Sequence, residues 1–473
     1  MSDVLQQRAE RREHLWRELT AEYEARFPAS RRFQQRAAGS MVDGGSHTAR
    51  LFPPFPIWTV EARGAYVTDL DGHAILDFWQ GHLANVLGHN PPVVTEALAE
   101  ALRQGRGLQT GMQETWEAEL AELLCRLTGA ERIRFTTSGS LATMYAILVA
   151  RAFTGRELVL KVGGGWHGAQ PWGLKGVHFG ARGYAELESE GLPAEFPGQV
   201  LVTRYNDPAA LEETFRAHGD HIAAFIVEPF IGGGGLTAGR PDYLRLARQL
   251  TERYGALLIF DEIIDGFRFC AGTLASLYGV RPDLTTLGKA IGGGMPVAAV
   301  AGRADVLRIA GKAGKEGGRR AMFEGGTYSA HPLSMLAGRT MVQYLAEHAG
   351  EIYPALADKG ARLRQAAQSA FAAEGIVVHP SGALPAGMAG SSLMSLHFPH
   401  QPAAPDDRPD ALNDPTRYDV DLKERLAKVA FLLEGVYVIH AGGALSAAHT
   451  LDDVARMEAA CAAVARRFAR AGL

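Results

Sequence analysis

Short apolar runs and longer helical stretches alternate through the central part of this chain. Between about residue 108 and residue 301, the apolar runs are IRFTT, LVLKV, QVLVT, AAFIVEP, ALLIFDE and PVAAVAG. Apolar runs of this length, separated by helices, are typical of a largely parallel β-sheet that is covered on both faces. The pattern therefore predicts one large α/β domain.

Helical spacing of apolar residues predicts the elements around these strands. Within and after the central region, residues 141–153, 241–254 and 333–347 are predicted helices, and residues 92–102 precede the region as a further helix. Leu5, Leu15, Leu19, Tyr23 and Phe27 recur among many Arg and Glu residues near the N-terminus, which indicates a surface helix or an arm on a partner.

The two ends of the chain carry signals for a second, smaller α+β domain. Asp71-Gly72 separates two alternating segments and predicts a hairpin. The Pro- and Asp-rich insert at residues 399–415 is expected to be a surface loop. The predicted segments are a helical arm (1–40), the first part of the small domain (41–107), the large domain (108–350) and the second part of the small domain (351–473).

Composition and charge exclude several classes of protein. The 473 residues include 48 Lys and Arg against 52 Asp and Glu, a net charge of −4 without a basic cluster. A nucleic-acid or membrane partner is therefore not expected. The three separated cysteines, Cys125, Cys270 and Cys461, indicate neither a disulfide framework nor a thiolate metal site, and no metal is expected. The charged N-terminal sequence lacks the apolar core of a secretory signal, which predicts a cytoplasmic protein.

Glycine-rich loops and a serine-rich turn are the first candidates for chemistry. Three glycine runs begin at Gly163, Gly232 and Gly292, but no dinucleotide or nucleoside triphosphate motif is present. The strand IRFTT leads through Ser138, Gly139 and Ser140 directly into a predicted helix, whose N-terminal amides can bind a phosphate. A simple serine cap of the helix explains the same residues equally well.

Two charged residues extend this picture. Asp261 ends the apolar run ALLIF, so its carboxylate is expected at the ligand-binding edge of the sheet, unless it is a structural cap. Lys289 follows an apolar segment and precedes a glycine run; a desolvated lysine of this kind can form an imine, although most lysines are solvated. A phosphate site, a carboxylate for a cationic ring nitrogen and an imine-forming lysine together match the needs of pyridoxal phosphate.

Several segments resemble the class III pyridoxal-phosphate aminotransferases, most closely the subgroup of glutamate-1-semialdehyde aminomutase and the β-amino-acid aminotransferases. The segments, in family order, are TSGSLAT, GWHG, FIVEP, LLIFDEIIDGFR, PDLTTLGKAIGGGMP, GGTYSAHPLSMLAG and LSAAHT. The resemblance implies the fold of type I pyridoxal-phosphate transferases, with a large domain and a smaller domain built from both chain ends. It also implies a homodimer with shared active sites.

The resemblance assigns roles to individual residues. It implies that Lys289 forms the imine with the cofactor and that Asp261 lies beneath the pyridine nitrogen. The remaining implied cofactor-binding residues are Ser138, Gly139 and Ser140 at the phosphate, Thr327 at the phosphate of the neighbouring subunit's cofactor, Trp166 stacked on the ring, and His167 and Glu228 lining the pocket. The alternative for Trp166 is core packing.

Substrate recognition is expected in the loop that contains SHTARLFPPFPIW. Arg50 is similar to a family arginine that binds the substrate carboxylate, but it also fits a surface arginine, and a shifted alignment puts His47 in that place. Phe52, Phe55 and Trp58 resemble the entrance loop of β-phenylalanine-type aminotransferases; simple packing is the alternative.

The implied function is transfer of an amino group from a carboxylate-bearing amine to a keto acid by a ping-pong mechanism, with β- and aromatic amino acids as candidate donors. The alternatives are the aminomutase, an isomerase, and another pyridoxal-phosphate enzyme such as a racemase. Departures from the aminomutase pattern weaken the first alternative. IHAGGALSAAHT lacks the expected glutamate, and a different sequence replaces the mobile lid after GWHG.

Overall fold

The computed structural model describes residues 2–312 and 318–473, with side chains from residue 6 onward. Its α-helices are α1 (Ser2–Arg26), α2 (Pro28–Ala38), α3 (Gln80–Leu83), α4 (Pro92–Arg103), α5 (Thr115–Thr128), α6 (Gly139–Thr154), α7 (Pro208–His218), α8 (Pro241–Tyr254), α9 (Leu274–Tyr278), α10 (Ala304–Leu307), α11 (Pro332–Glu347), α12 (Ala349–Ala373), α13 (Pro409–Leu412), α14 (Ala427–Leu433) and α15 (Leu451–Arg470).

The strands divide among one large sheet and three small sheets. They are β1 (Thr59–Arg63), β2 (Tyr66–Asp69), β3 (Ala74–Asp77), β4 (Arg132–Thr136), β5 (Leu158–Val162), β6 (Val200–Thr203), β7 (Ile222–Val227), β8 (Phe230–Ile231), β9 (Thr237–Ala238), β10 (Leu257–Glu262), β11 (Leu284–Leu287), β12 (Ala298–Gly302), β13 (His379–Ser381), β14 (Leu393–His397), β15 (Val436–Tyr437) and β16 (Gly443–Ala444).

The large sheet has seven strands in the order β4-β12-β11-β10-β7-β5-β6. All neighbouring strands are parallel except β12, which runs antiparallel to β11 and β4. The central strands β7 and β10 are buried along their whole length, because helices cover both faces of the sheet. The predicted largely parallel α/β fold is confirmed.

Strand β11 is the element that the apolar pattern missed. Its sequence LTTL contains two threonines, so it does not form a continuous apolar run, although threonine is β-branched and suits a strand. The strand pairs in parallel with β10, and Thr286 lies opposite Asp261. The structure therefore places the end of β11, and Lys289 beyond it, beside the end of β10.

Both chain ends contribute to the small sheets, as the fold class predicted. The predicted hairpin is present as β2 and β3, and β15 from the C-terminal region adds to it in parallel. Strands β13, β14 and β16 form a second small sheet. The exact boundaries of the four predicted segments stay a prediction.

The insert at residues 399–415 is not wholly a surface loop, and that expectation is corrected here. Its short helix α13 buries Pro409 and Leu412, and Asp407 forms an ion pair with Arg240 at 2.5 Å. The insert thus packs against the large domain, because its few apolar residues are grouped at α13.

Helix α1 packs on its own chain. Its apolar side chains Leu15, Leu19 and Tyr23 are buried, and Arg12 binds Asp419 at 2.8 Å. The helix therefore belongs to the core that the C-terminal region forms. In the described ranges, the structure contains no helix with the length and apolar character needed to cross a membrane.

Candidate functional site

Asp261 is the centre of a hydrogen-bond network at the carboxyl edge of the large sheet. Its Oδ1 accepts hydrogen bonds from Thr286 Oγ1 at 2.8 Å and from the Ile263 amide at 3.2 Å, and its Oδ2 contacts His167 Nδ1 at 2.7 Å. The residue is 2% exposed. Donors thus converge on both oxygens and fix the carboxylate in one orientation.

Lys289 lies just beyond the adjacent strand, in a strained backbone conformation. Its φ is +46°, which is uncommon for a residue other than glycine, and it opens the short 3₁₀ segment Lys289–Gly292. Burial lowers the pKa of its amine, while Asp261 and Glu228 oppose that shift. Among the described residues, no hydrogen-bond partner binds the amine. The structure therefore joins a desolvated, unbonded amine to the Asp261 network.

The serine-rich turn adjoins both residues. Ser138 is the N-cap of α6, and its Oγ accepts a hydrogen bond from the Leu141 amide at 3.3 Å. A Cβ at Gly139 would lie 3.1 Å from the Ile263 side chain, so the turn packs directly on the residue that follows Asp261 by two positions. The cap that the sequence allowed is present, and the amides of Gly139 and Ser140 precede the first intrahelical bonds of α6. They are oriented as at an anion site.

Three further predicted residues close the pocket. Glu228 Oε1 accepts a hydrogen bond from the Trp166 amide at 2.8 Å, and its Oε2 accepts one from the Gly232 amide at 3.0 Å. The Trp166 side chain is 42% exposed, whereas its neighbour His167 is only 1% exposed. A half-exposed indole is not a core residue, and the predicted stacking of Trp166 on a cofactor ring stays a prediction.

Burial determines the protonation of the groups around Asp261. It raises the pKa of Glu228 to about 8, with Asp261 adding to the shift. It also lowers the pKa of His167. Because the Asp261 carboxylate can only accept, the Nδ1 of His167 is the donor between them, and its Nε2 is buried without a hydrogen-bond partner in the described chain.

These residues fit pyridoxal phosphate. The buried, unpartnered His167 Nε2 marks a place where the protein leaves a polar atom to a ligand. The α6 N-terminus suits the phosphate, and Asp261 suits a protonated ring nitrogen. Lys289 has the desolvated amine that a carbonyl requires. The cofactor roles of the individual residues remain predictions.

Arg50 lies beside Lys289 in a cluster of basic groups. Its Nε donates to His82 Nε2 at 3.1 Å, and the rings of His47 and His82 are 4.5 Å apart. The pKa of His82 is lowered to about 3. Burial is the main cause, and the positive charges of His47, Arg50 and Lys289 add to it. Arg50 itself is exposed. The structure thus brings both His47 and Arg50 into one cluster with His82, and the predicted binding of a substrate carboxylate by Arg50 stays a prediction.

An unusual backbone turn positions His82. Gln80, Gly81, His82 and Leu83 of α3 all have positive φ, between 47° and 66°. Left-handed residues other than glycine cost roughly 1–2 kcal/mol each, so the turn needs compensating contacts. The Asp77 carboxylate supplies them by accepting hydrogen bonds from the amides of Trp79 and Gln80 at 2.8 and 3.0 Å.

Aromatic side chains form a wall next to this cluster. Trp79 stacks on Tyr437 with a centroid distance of 5.3 Å, and Trp79 and His82 are 4.6 Å apart. Phe52 approaches Tyr437 at 6.1 Å. Of the predicted aromatic residues, Phe52 therefore joins the candidate substrate pocket. Phe55 is buried against Tyr23 at 5.0 Å, behind Phe52.

Trp58 and Thr327 lie elsewhere. The Trp58 indole donates to Gln34 at 2.9 Å and packs on Phe33 of α2, so the structure does not join it to the Arg50 cluster. Its predicted substrate role gains no support from these contacts, which match the packing alternative. Thr327 is exposed, and its carbonyl accepts a hydrogen bond from Gln109 at 2.7 Å.

Sequence reasoning missed several residues of the site. Thr286, Ile263, His82, Trp79 and Tyr437 were not among the predicted residues. The LTTL run next to Lys289 contained a signal for Thr286, because a β-branched polar residue in a buried strand needs a nearby acceptor. Trp79 and Tyr437 are more than 350 residues apart in the chain, and only the folded small domain brings them together.

Comparison with known proteins identifies the family of this chain. Residues 48–377 match the family model described as aminotransferase class-III. A glutamate-1-semialdehyde 2,1-aminomutase from Sorangium cellulosum (strain So ce56) is 35% identical over 443 residues, which cover 92% of this chain and 96% of that protein.

Solved structures of transaminases have a similar fold. An omega-transaminase from Sphaerobacter thermophilus has a TM-score of 0.83 and 31% identity, with 93% of this chain and 98% of that chain covered. A β-phenylalanine aminotransferase from Variovorax paradoxus has a TM-score of 0.81 and 31% identity, with 95% and 96% covered.

Proposed function

This chain belongs to the class III aminotransferases, whose cofactor is pyridoxal phosphate, and we propose that it transfers the amino group of a carboxylate-bearing amine with an apolar, aromatic-sized side chain to a keto acid. The observation that carries the proposal is the placement of Arg50 and the Phe52, Trp79 and Tyr437 wall beside the unbonded amine of Lys289.

Asp261 and Lys289 have different roles in the proposed reaction. Bound pyridoxal phosphate supplies an electron sink that makes a C–H bond next to a substrate nitrogen acidic. Asp261, which Thr286 and His167 hold in one orientation, would bind the ring nitrogen of the cofactor. The amine of Lys289 moves the proton, which typically contributes about 10² to 10⁴ in rate. Amino transfer through two half-reactions predicts ping-pong kinetics.

The pocket beside Lys289 defines the class of donor. The planar guanidinium of Arg50 can bind both oxygens of a carboxylate, and His82 beneath it is neutral because its pKa is about 3. Phe52, Trp79 and Tyr437 offer apolar faces next to this charge. A β-amino acid with an aromatic substituent combines both features, and the similar enzyme from Variovorax paradoxus acts on β-phenylalanine according to its name.

A screen of donors tests the proposal. The holoenzyme is mixed with α-, β- and ω-amino donors without any acceptor, and the cofactor spectrum is followed. We expect stoichiometric conversion to the aminated cofactor with β-phenylalanine-type donors and much slower conversion with amines that lack a carboxylate. Equal rates with and without the carboxylate would contradict the assigned donor class.

The aminomutase is the second candidate, because aminomutases are among the similar proteins over nearly the full chain. An isomerase moves the amine within one molecule and turns over a single substrate. Incubation with glutamate-1-semialdehyde alone therefore separates the two activities: sustained turnover without a keto acid would favour the isomerase. A racemase would instead convert one enantiomer of an amino acid into the other without loss of the amine.

We also propose that two copies of the chain share their active sites, in the cytoplasm. Leu108, Met112, Met322 and Tyr328 are strongly exposed apolar residues around Thr327, and exposed groups of this kind mark interaction surfaces. The Gln109 contact links the two loops that carry them. Sedimentation of the parent protein should show a dimer. The double variant Met112→Asp/Tyr328→Asp should be a monomer and should bind the cofactor more weakly. A monomeric parent protein would refute this part.

A further inference from the structure

Lys161 is a completely buried lysine that the proposed chemistry does not use. It lies on β5, and its side chain is 0% exposed. Its Nζ donates to the carbonyl oxygens of Gly165 at 2.9 Å, Gly173 at 3.2 Å and Lys175 at 2.8 Å. Burying an ammonium has a large desolvation cost, which these three hydrogen bonds offset. The presence of a lysine at this buried position therefore needs an explanation.

The three carbonyls belong to one loop, which we define as residues 165–175. Gly165 is at its start, and Gly173 and Lys175 are at its end, so the single ammonium joins the two ends. Gly164 has a φ of +81°, and this turn brings the Gly165 carbonyl back over β5. The glycine run at 163–165, for which the sequence suggested no ligand, thus has a role in closing the loop.

The loop carries the two residues that face the ring site. Trp166 and His167 follow Gly165 directly, and their other restraints are the bonds to Glu228 and Asp261. Thr143 of α6 also donates to the His167 carbonyl at 2.5 Å. These bonds hold individual residues. The Gly164 amide also donates to the Gly176 carbonyl at 2.9 Å, so a backbone bond joins the chain just outside the loop, and the Lys161 side chain adds three bonds that join the two ends of the loop itself.

We propose that Lys161 is a positioning residue: its buried ammonium holds the loop 165–175 closed and thereby fixes Trp166 and His167 against the bound cofactor. An ammonium has three N–H groups, one for each carbonyl, whereas a neutral amine has two and would leave one carbonyl without a donor. The link to the cofactor rests on the proposed roles of Trp166 and His167, but closure of the loop does not.

The charge of the clamp depends on its surroundings. Burial lowers the pKa of Lys161 to about 7, while Glu228, Glu188 and Asp261 oppose the shift. Burial also lowers the pKa of the neighbouring His167. The clamp is therefore charged below about pH 7 and loses one donor as the pH rises through that value.

The first test measures loop closure in the protein without added cofactor. Lys161→Met removes the N–H groups and keeps the length of the side chain. The matched control is Lys359→Met, because Lys359 also donates from a partly buried ammonium to a carbonyl, of His449 at 2.6 Å, but lies on α12 outside the loop. We expect amide hydrogen exchange of the Trp166–His167 peptide to accelerate about 10-fold or more in Lys161→Met and to stay near the parent rate in the control.

The second test uses the holoenzyme. In Lys161→Met, the visible circular dichroism of the bound cofactor should weaken, and kcat should fall by about 10- to 100-fold with little change in substrate KM, since misplacement by about 1 Å has effects of this size. Parent-like exchange in Lys161→Met, or equal acceleration in both variants, would overturn loop closure. Parent-like dichroism and kcat despite faster exchange would overturn the positioning role.

A measurement on the parent protein keeps the proposal testable if Lys161→Met does not fold. After correction for intrinsic exchange rates, protection of the Trp166–His167 peptide should fall as the pH rises through about 7. Constant protection across that range would refute the clamp. A parent protein that shows no cofactor absorbance with added pyridoxal phosphate would instead refute the proposed cofactor site, and the exchange data would still decide loop closure.

Discussion

Lys289 and Lys161 are two desolvated lysines of the same α/β domain with opposite environments. Burial lowers the pKa of both amines. Lys161 lies within β5 and is bound by three carbonyls, whereas Lys289 lies past the end of β11, in a left-handed conformation, and no described residue hydrogen-bonds its amine. If Lys289 forms the proposed imine, the comparison teaches that desolvation alone does not make a lysine reactive. The amine must also be free of partners that would have to be displaced.

The largest expected effect is the loss of cofactor attachment and activity when Lys289, but not Lys161, is replaced. Lys289→Ala should remove covalent attachment of the cofactor and lower kcat by at least about 10³-fold, because both the bond to the cofactor and the proton carrier are lost. Borohydride reduction followed by mass spectrometry reports attachment. Lys161→Met should retain the label at Lys289. If borohydride instead fixed the cofactor on Lys161 of the parent protein, the assignment of Lys289 as the attachment site would be wrong.

Asp261→Asn should lower kcat/KM by about 10²- to 10³-fold, the usual effect of removing one electrostatic contact to a developing charge. Asparagine keeps the size of the side chain but not its charge. The matched control is Asp265→Asn on the same segment: Asp265 is also a buried carboxyl whose pKa burial raises, but it accepts a hydrogen bond from the Phe230 amide and makes none with Thr286 or His167 among the described residues. Similar losses in both variants would show that only packing was disturbed.

Arg50→Ala should raise the KM of carboxylate donors by about 10- to 100-fold, since a charge-assisted pair is worth about 1.5–3 kcal/mol. Amines without a carboxylate should be nearly unaffected. Arg32→Ala, which removes an exposed arginine of α2, is the control for general charge. An equal change for both kinds of donor would remove Arg50 from substrate recognition.

The smallest effect concerns stability and pH at His82. Its pKa is about 3 in the folded protein and near 6.5 in an unfolded chain, so the unfolded state binds the extra proton between these values. Stability is therefore lost as the pH falls below about 6.5. Asparagine tolerates the left-handed backbone, so His82→Asn is a suitable variant. Between pH 6.5 and 5.5, its free energy of unfolding should fall by up to about 1 kcal/mol less than that of the parent protein, and solvent screening makes this difference smaller.

Chemical denaturation at the two pH values measures this difference. Several other buried histidines also have lowered pKa values, among them His449 at about 4. The comparison between parent and variant cancels their contribution, because they are common to both proteins. Identical pH slopes would show that burial and the neighbouring His47, Arg50 and Lys289 do not lower the pKa of His82.

The two sides of the site differ in how well the sequence predicted them. Asp261 lies near the end of β10, so the local pattern was enough to expect it at the ligand-binding edge of the sheet. The apolar pattern missed β11, the strand before Lys289, and the parallel pairing of β10 with β11 was seen only in the structure. Arg50 and Trp58 belong to a loop without such a rule. Their side chains diverge, one toward His82 and the other toward α2.

The sequence by itself determined the periodic part of this protein: the buried strands, the helices between them, the cap at Ser138, and the family motifs around Asp261 and Lys289. Only the tertiary structure decided which side chains found partners. Thr286 reached Asp261, three carbonyls reached Lys161, and Trp79 met Tyr437, because packing joins segments that are distant in the chain. Hydrophobic periodicity depends on neighbours along the chain, whereas hydrogen bonding and desolvation depend on neighbours in space.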